Sequence, residues 1–410
     1  MKTKRKAGRA AAILGIVTSL FLFYGVVIAA SPAPKAIKIG VSNCLTGGLA
    51  QAGKRVKQGY EIALKHINQD GGVYVKEFGK KIPLEIIMLD NETDATKGVA
   101  RMEKLYSVDK VDVFLGGHNS ALTIPQLAVA EKYRIPIIAP VMTSIAPFEK
   151  GYKFSFTPFY SERDQAAVMF DTLDTIPQNQ RPNKIAYFEI QEEVGIGAGK
   201  YTKEIAAQRG YKIVTYESYA PAATDFSFLI TKAKSAGAEI LYTVPTPPQG
   251  ARIVKQMKEL DWAPTFIYMV RAVDDPTWAT NLGKDGDYIC HSAGWDYHLK
   301  LPGVEKLNED YKAAFGDYPQ APAGTAYATM QILADAIQRA GTLDKEKIRD
   351  AIAATNTMTV MGPMKFKPNG RGEGKYTNTM SQWQNGKVEL VYPKEQASAP
   401  LAFPRPPWRR

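Results

Sequence analysis

Between Ile37 and Phe148, short apolar runs alternate with amphipathic stretches. IKIGV, PLEIIML, VDVFL and RIPIIA read as buried strands, each closing in a small-residue or polar loop. Between them, Val56, Tyr60, Ala63, Leu64 and Ile67 keep helical spacing, as do Ala95, Val99, Met102 and Tyr106, with Asp94 placed to cap the second helix. The rhythm predicts strands at Ile37–Val41, Leu84–Leu89, Val111–Leu115, Ile135–Ala139, Lys184–Phe188, Lys212–Tyr219, Ile240–Val244, Thr265–Met269 and Tyr288–Ser292. Later helices are expected at Glu162–Ile176, Ala198–Arg209, Phe226–Ser235, Gln249–Leu260, Val304–Phe315, Ala323–Ala340 and Lys345–Ala353. Strand–helix alternation of this kind predicts doubly wound parallel sheets, whose ligand-facing loops lie at the carboxyl ends of the strands.

The rhythm restarts after Ser155–Tyr160, becomes helix-rich from about Cys290 to Thr357, and turns to short strands beyond Gly362: Met364–Phe366, Thr379–Trp383 and Val388–Tyr392. Asn385-Gly386 marks a hairpin between the last two. The final residues, 393–410, are proline-rich and read as a solvated appendage.

The amino terminus sets the compartment. Five basic residues, Lys2, Lys4, Arg5, Lys6 and Arg9, precede an uncharged stretch from Ala10 to Ser31. Small residues at Ala29 and Ala30 suit signal-peptide cleavage, which makes residues 1–30 a signal peptide and directs the mature chain to the periplasm. An uncleaved membrane anchor is the competing reading, because the apolar stretch is near the roughly 20 residues that span a bilayer. Without the five basic residues, the formal charge of +11 falls to +6, spread among acids. That dispersion argues against a nucleic-acid surface. Cys44 and Cys290 permit one disulfide, or two buried thiols.

No catalytic set emerges. His66, His118, His291 and His298 show no metal-ligand spacing, and there is no GxSxG elbow. Gly195–Lys200 (GIGAGK) mimics a phosphate loop but has Val194 and Tyr201 where that loop needs glycine and a serine or threonine. It reads as a flexible turn opening a helix at a cleft. No enzyme activity, cofactor or metal is expected.

In order and spacing, IKIGV…LTGGLAQAGK…GYEIALKHIN, GGHNSALTIPQ, RIPIIAPVMTSIAP, DFSFLITKAKSAGAEILY and GPMKFKPNG…QWQNGKV resemble the leucine/isoleucine/valine-binding proteins of ABC importers. The resemblance covers roughly Ile37 to Tyr392. It implies a type I periplasmic binding protein fold, with two α/β lobes joined by three crossing strands and a ligand held between them. Lobe one would be Ile37–Phe159 plus Ser292–Met361, and lobe two Tyr160–His291 plus Gly362–Tyr392. The expected partners are a small amino acid or organic acid and permease subunits in the inner membrane, with the protein itself a monomer. A ligand-sensing receptor component is the alternative.

The resemblance implies that Ser120 and Thr143 grip a ligand carboxylate, with Asn119, Val141 and Met142 beside them. A hydroxyl at a helix N-terminus suits that task, though Ser120 read alone is an ordinary N-cap. The other pocket positions depart from the family pattern. Ala52 stands where an aromatic ring covers the ligand, and Val194 and Thr246 stand at tyrosine positions. The family disulfide is replaced by Thr93 and Asn119. The acid that pairs with an α-ammonium has no counterpart in YMVRAVDD, where Val270 or Arg271 falls. Two readings follow. Arg271 repels an ammonium and favours an aromatic or dicarboxylic acid without an α-amino group, or it points to solvent while Asp274 or Asp275 supplies the acid.

Overall fold

The computed structural model describes residues 32–274 and 277–408. The expected signal peptide and Asp275 lie outside them, and the Asp274 side chain is not described. Among the described residues, no helix is long and apolar enough to cross a membrane.

Two sheets carry the architecture. The first is five-stranded and parallel, in the order Leu84–Asp90, Ile37–Asn43, Val113–Leu115, Ile137–Ile138 and Ser155–Phe156. The second has seven strands, in the order Lys387–Tyr392, Met380–Gln384, Ile289–Ser292, Phe266–Met269, Ile240–Thr243, Lys184–Ile190 and Lys212–Tyr219. Its last five strands run parallel, and the Met380–Tyr392 hairpin adds on antiparallel. Burial on both faces explains the near-continuous apolar runs that the sequence showed. Along Lys184–Ile190 the two-residue period sends Ile185 and Tyr187 into one core and Ala186, Phe188 and Ile190 into another. In the first lobe, helix Ala50–Gln69 packs on helix Ala321–Ala340 so closely that a Cβ on Gly59 would lie 2.2 Å from the Ala323 carbonyl oxygen.

The chain passes between the lobes three times. Thr157 pairs with the segment around Arg371, donating its N–H to Gly370 and accepting from Gly372. The second passage leaves strand Ile289–Ser292 and reaches Trp295, whose indole N–H meets the Val360 carbonyl at 2.8 Å inside the first lobe's core. It turns at Gly294, φ +67°, where a Cβ would come within 2.6 Å of the Tyr160 ring. The third passage differs from expectation. Gly362 does not enter the second lobe. It opens strand Gly362–Phe366, which pairs with Asn356–Thr359 and Gly372–Gly374 in a small antiparallel sheet. Met364 and Tyr376 belong to the first lobe's core, and the chain joins the second sheet only at Met380. Apolar periodicity in so short a strand does not say which core it serves.

The carboxyl-terminal segment is not a solvated appendage. Trp408 is buried in the second lobe's core, and its indole N–H donates to Trp262 O at 2.7 Å. The Arg405 guanidinium stacks 3.5 Å from the Trp408 ring, and Gln382 binds Ala402 through both ends of its amide. The prolines hold an extended path that a few anchors dock. Cys44 and Cys290 are free and buried. Burial pushes the Cys44 thiol up to about 11 and the Cys290 thiol still higher, so both are inert.

Candidate functional site

A cavity of about 320 Å³ opens between the two lobes. On the first-lobe side, strand Val113–Leu115 runs through a short loop into helix Ser120–Tyr133. Asn119 caps that helix from a left-handed conformation, φ +83°, with its side-chain oxygen accepting the Ala121 N–H at 2.8 Å. Ser120 Oγ lies 3.5 Å from Thr143 Oγ1 and accepts the Thr143 N–H at 3.2 Å. Two hydroxyls therefore meet where the helix dipole and free N–H groups favour an anion.

The opposite wall is acidic. Glu192 and Glu193 begin helix Glu193–Arg209, directly after strand Lys184–Ile190. Glu162 begins helix Glu162–Leu173, whose start is set by a reciprocal Ser161–Asp164 capping box. Glu193 accepts the Ser144 hydroxyl at 3.1 Å, a hydrogen bond that bridges the lobes. Burial, reinforced by the charge of Glu193, pushes the Glu162 carboxyl up to about 7, while Arg371 and Lys200 oppose the shift. Arg371 is itself buried and donates to the carbonyls of Ser144 and Phe159 at 3.2 and 3.0 Å. It thus ties the carboxylate-side loop to the first inter-lobe passage. Among the described residues, no cluster of side chains has the makings of a metal site.

Comparison with known proteins identifies the family. The family model described as periplasmic binding protein matches residues 36–387. The chain belongs to that family. Its members are solute-binding proteins that work in the periplasm, not enzymes. The binding protein is 24% identical over 394 residues to Leu/Ile/Val-binding protein homolog 7 of Brucella abortus, an alignment covering 92% of this chain and 96% of the relative. A leucine-binding protein from Thermotoga maritima superposes with a TM-score of 0.75 at 22% identity, over 87% of this chain and 97% of the other. A solute-binding protein from R. palustris, solved with benzoate, superposes with a TM-score of 0.72 at 16% identity, over 92% and 98%. These likenesses show the fold.

Of the residues singled out in the sequence, Ser120, Thr143, Asn119, Val141, Val194 and Arg271 line the cavity. Three do not. Met142 is fully buried in the core behind the wall, because the extended chain turns alternate side chains away from the cleft. Thr246 caps helix Pro247–Glu259, its hydroxyl bound to Gln249 Oε1 at 2.9 Å. Ala52 lies in the opening turn of helix Ala50–Gln69 and does not line the cavity. Gly195–Lys200 is no flexible turn but lies within helix Glu193–Arg209. Its glycines admit close packing, since a Cβ on Gly195 would lie 2.3 Å from Ile190 O and one on Gly199 would meet the Tyr216 hydroxyl.

Arg271 faces the cavity from φ +73°, but its guanidinium is committed. Nη1 meets Glu192 Oε2 at 3.0 Å, Nη2 meets Val244 O and Nε meets Pro245 O. Its charge is balanced by Glu192, which removes the basis for a second acid group at this point. Glu162, Glu192, Glu193 and Gln165 escaped the sequence reading. Acids in a first helical turn look ordinary, because the dipole favours them there. The available signal was position: Glu192-Glu193 follows the carboxyl end of a parallel strand.

Proposed function

We propose that this protein is the substrate-binding component of an ABC importer, capturing an amino acid or a related small carboxylate and closing its lobes around it. The observation that carries this reading is the Ser120–Thr143 hydroxyl pair at a helix N-terminus inside the inter-lobe cavity. The ligand carboxylate would accept from both hydroxyls and from the first free N–H groups of the helix. Family membership and relatives named for Leu/Ile/Val binding support the importer role. Closure would work by population shift, since a ligand touching both lobes stabilises the closed state by its differential affinity. The closed form would then engage permease subunits, with the protein acting as a monomer after cleavage behind Ala29 or Ala30.

Titration calorimetry combined with small-angle scattering tests the proposal. Binding of a small carboxylate should reduce the radius of gyration, and Ser120→Ala should weaken that binding. Tight binding without compaction, or no effect of Ser120→Ala, would refute it.

A further inference from the structure

Two carboxylates and an amide converge beside the Ser120–Thr143 pair, and they are not used up by the protein itself. Among the described residues, no hydrogen bond or ion pair holds the Glu162 carboxylate, although the side chain is only 8% exposed. Glu193 spends one oxygen on Ser144 and keeps the other. Gln165 is 2% exposed, lines the cavity and has no hydrogen-bond partner for its side-chain oxygen. Buried acceptors without donors are costly, and two nearby carboxylates add mutual repulsion. Arg271 relieves neither Glu162 nor Glu193, because it is engaged by Glu192.

A ligand without N–H or O–H donors would leave all three acceptors unmet, and a neutral donor would leave the carboxylate charge unbalanced. A protonated amine brings three N–H donors and one positive charge. We propose that Glu162, Glu193 and Gln165 form the ammonium subsite of this protein, so that its substrate carries an α-amino group beside its carboxylate. This rests on the carboxylate reading of Ser120 and Thr143.

The spacing of the two subsites fits. Ser144 donates its N–H toward Ser120 Oγ at 3.4 Å and its hydroxyl to Glu193, so one residue touches both groups. The Glu162 N–H donates to Thr143 O at 3.2 Å. Carboxylate and ammonium sites are therefore adjacent, as they must be for groups carried on one carbon. Val141, Val194, Val244, Val270 and Phe159 also line the cavity, beside the paired Arg271 and Glu192. The proposed ammonium partners thus stand at the starts of two helices, Glu162–Leu173 and Glu193–Arg209.

The test is titration calorimetry on the mature chain. The probes are leucine, isoleucine, valine, phenylalanine and methionine, the 2-hydroxy analogues of leucine and phenylalanine, and benzoate. At least one of the five amino acids should bind, and the hydroxy analogues and benzoate should bind about 100-fold or more weakly than the best of them, the scale of an unpaired buried charge. Glu193→Gln keeps the Ser144 hydrogen bond and should weaken the amino acid about tenfold or more while narrowing its lead over the hydroxy acid. Glu162→Gln should act in the same direction. A cooperative melting transition well above the assay temperature in each ligand-free variant shows that loss of folding is not the cause. A hydroxy acid or benzoate matching the best amino acid, binding unchanged in both variants, or no amino acid binding at all overturns the ammonium subsite. Failure of the carboxylate site is read separately, as Ser120→Ala leaving every bound probe unaffected.

Discussion

Ser120 and Glu193 each open a helix that follows a parallel strand, one on either side of the cleft, and they present opposite chemistry. On the first lobe the helix N-terminus carries neutral hydroxyls, so its dipole and N–H groups are left for a ligand anion. On the second lobe the protein's own acids, Glu192 and Glu193, stand at the same kind of terminus and use up that positive potential. One structural device thus becomes an anion site or a cation site according to one or two side chains. The direction of a bound ligand follows from that asymmetry.

The largest effect is expected where the two walls are tied together. Arg371→Met removes the cation that opposes Glu162 and the two hydrogen bonds to Ser144 and Phe159. Breaking a buried charge network of this kind costs about 3–5 kcal/mol. Denaturant unfolding should show that loss, and a wild-type midpoint would mean that Arg371 does not link the walls. Next, Ser120→Ala deletes a donor to a charged group and should weaken carboxylate binding by about 1.5–3 kcal/mol. Calorimetry with the bound acid checks it, and a loss below tenfold would shift the anion site toward the helix N–H groups alone.

A third experiment uses pH to separate the walls. The Glu162 carboxyl sits at about 7 in the folded protein, above its ordinary 4.5. The folded state therefore holds a proton that the unfolded state has released across this window. The group's contribution to stability is present below about 4.5 and is lost as pH rises toward about 7. Glu193, Arg371 and Lys200 are the charges that set this balance. The difference in melting temperature between the wild type and Glu162→Gln should change with pH across this interval. A difference constant from pH 4.5 to 7.5 would show that Glu162 titrates normally. A bound ammonium should favour the ionised form, so ligand binding near pH 6 should release protons, visible as buffer-dependent heats.

The smallest effect is expected for Arg271→Gln. Its partner Glu192 is about one-third exposed, so water screens the lost charge. Stability should change by less than about 1 kcal/mol. If Arg271 received a second ligand carboxylate, the variant would instead abolish binding of dicarboxylates, and comparing succinate with valine would reveal it.

Much of the fold was legible because parallel strands buried on both faces leave unbroken apolar runs. Ile37–Asn43 and Ile240–Thr243 were recognisable for that reason, and helices Val304–Phe315 and Lys345–Ala353 were read to the residue. Hairpin Val73–Ile82 and strand Asn356–Thr359 were not, since strands of three or four residues have too little periodicity to register. Within the site, Ser120 and Thr143 stood out through the resemblance to the leucine/isoleucine/valine-binding proteins, since Ser120 read alone is an ordinary N-cap. Met142, between two lining residues, shows how a single step along extended chain moves a side chain from cleft to core.

Sequence alone therefore determined the class of the protein: buried apolar strands alternating with amphipathic helices. These are properties of local pattern, and each is written within a few consecutive residues. Only the tertiary structure decided the charge of the cavity. Glu162, Glu193, Arg271 and Arg371 are far apart in the chain, and their roles depend on which partner reaches each first. Arg271 became a neutralised neighbour of Glu192, and Glu162 was left facing the cavity. Pairing among charges is set by distances between folded elements, which no local pattern encodes.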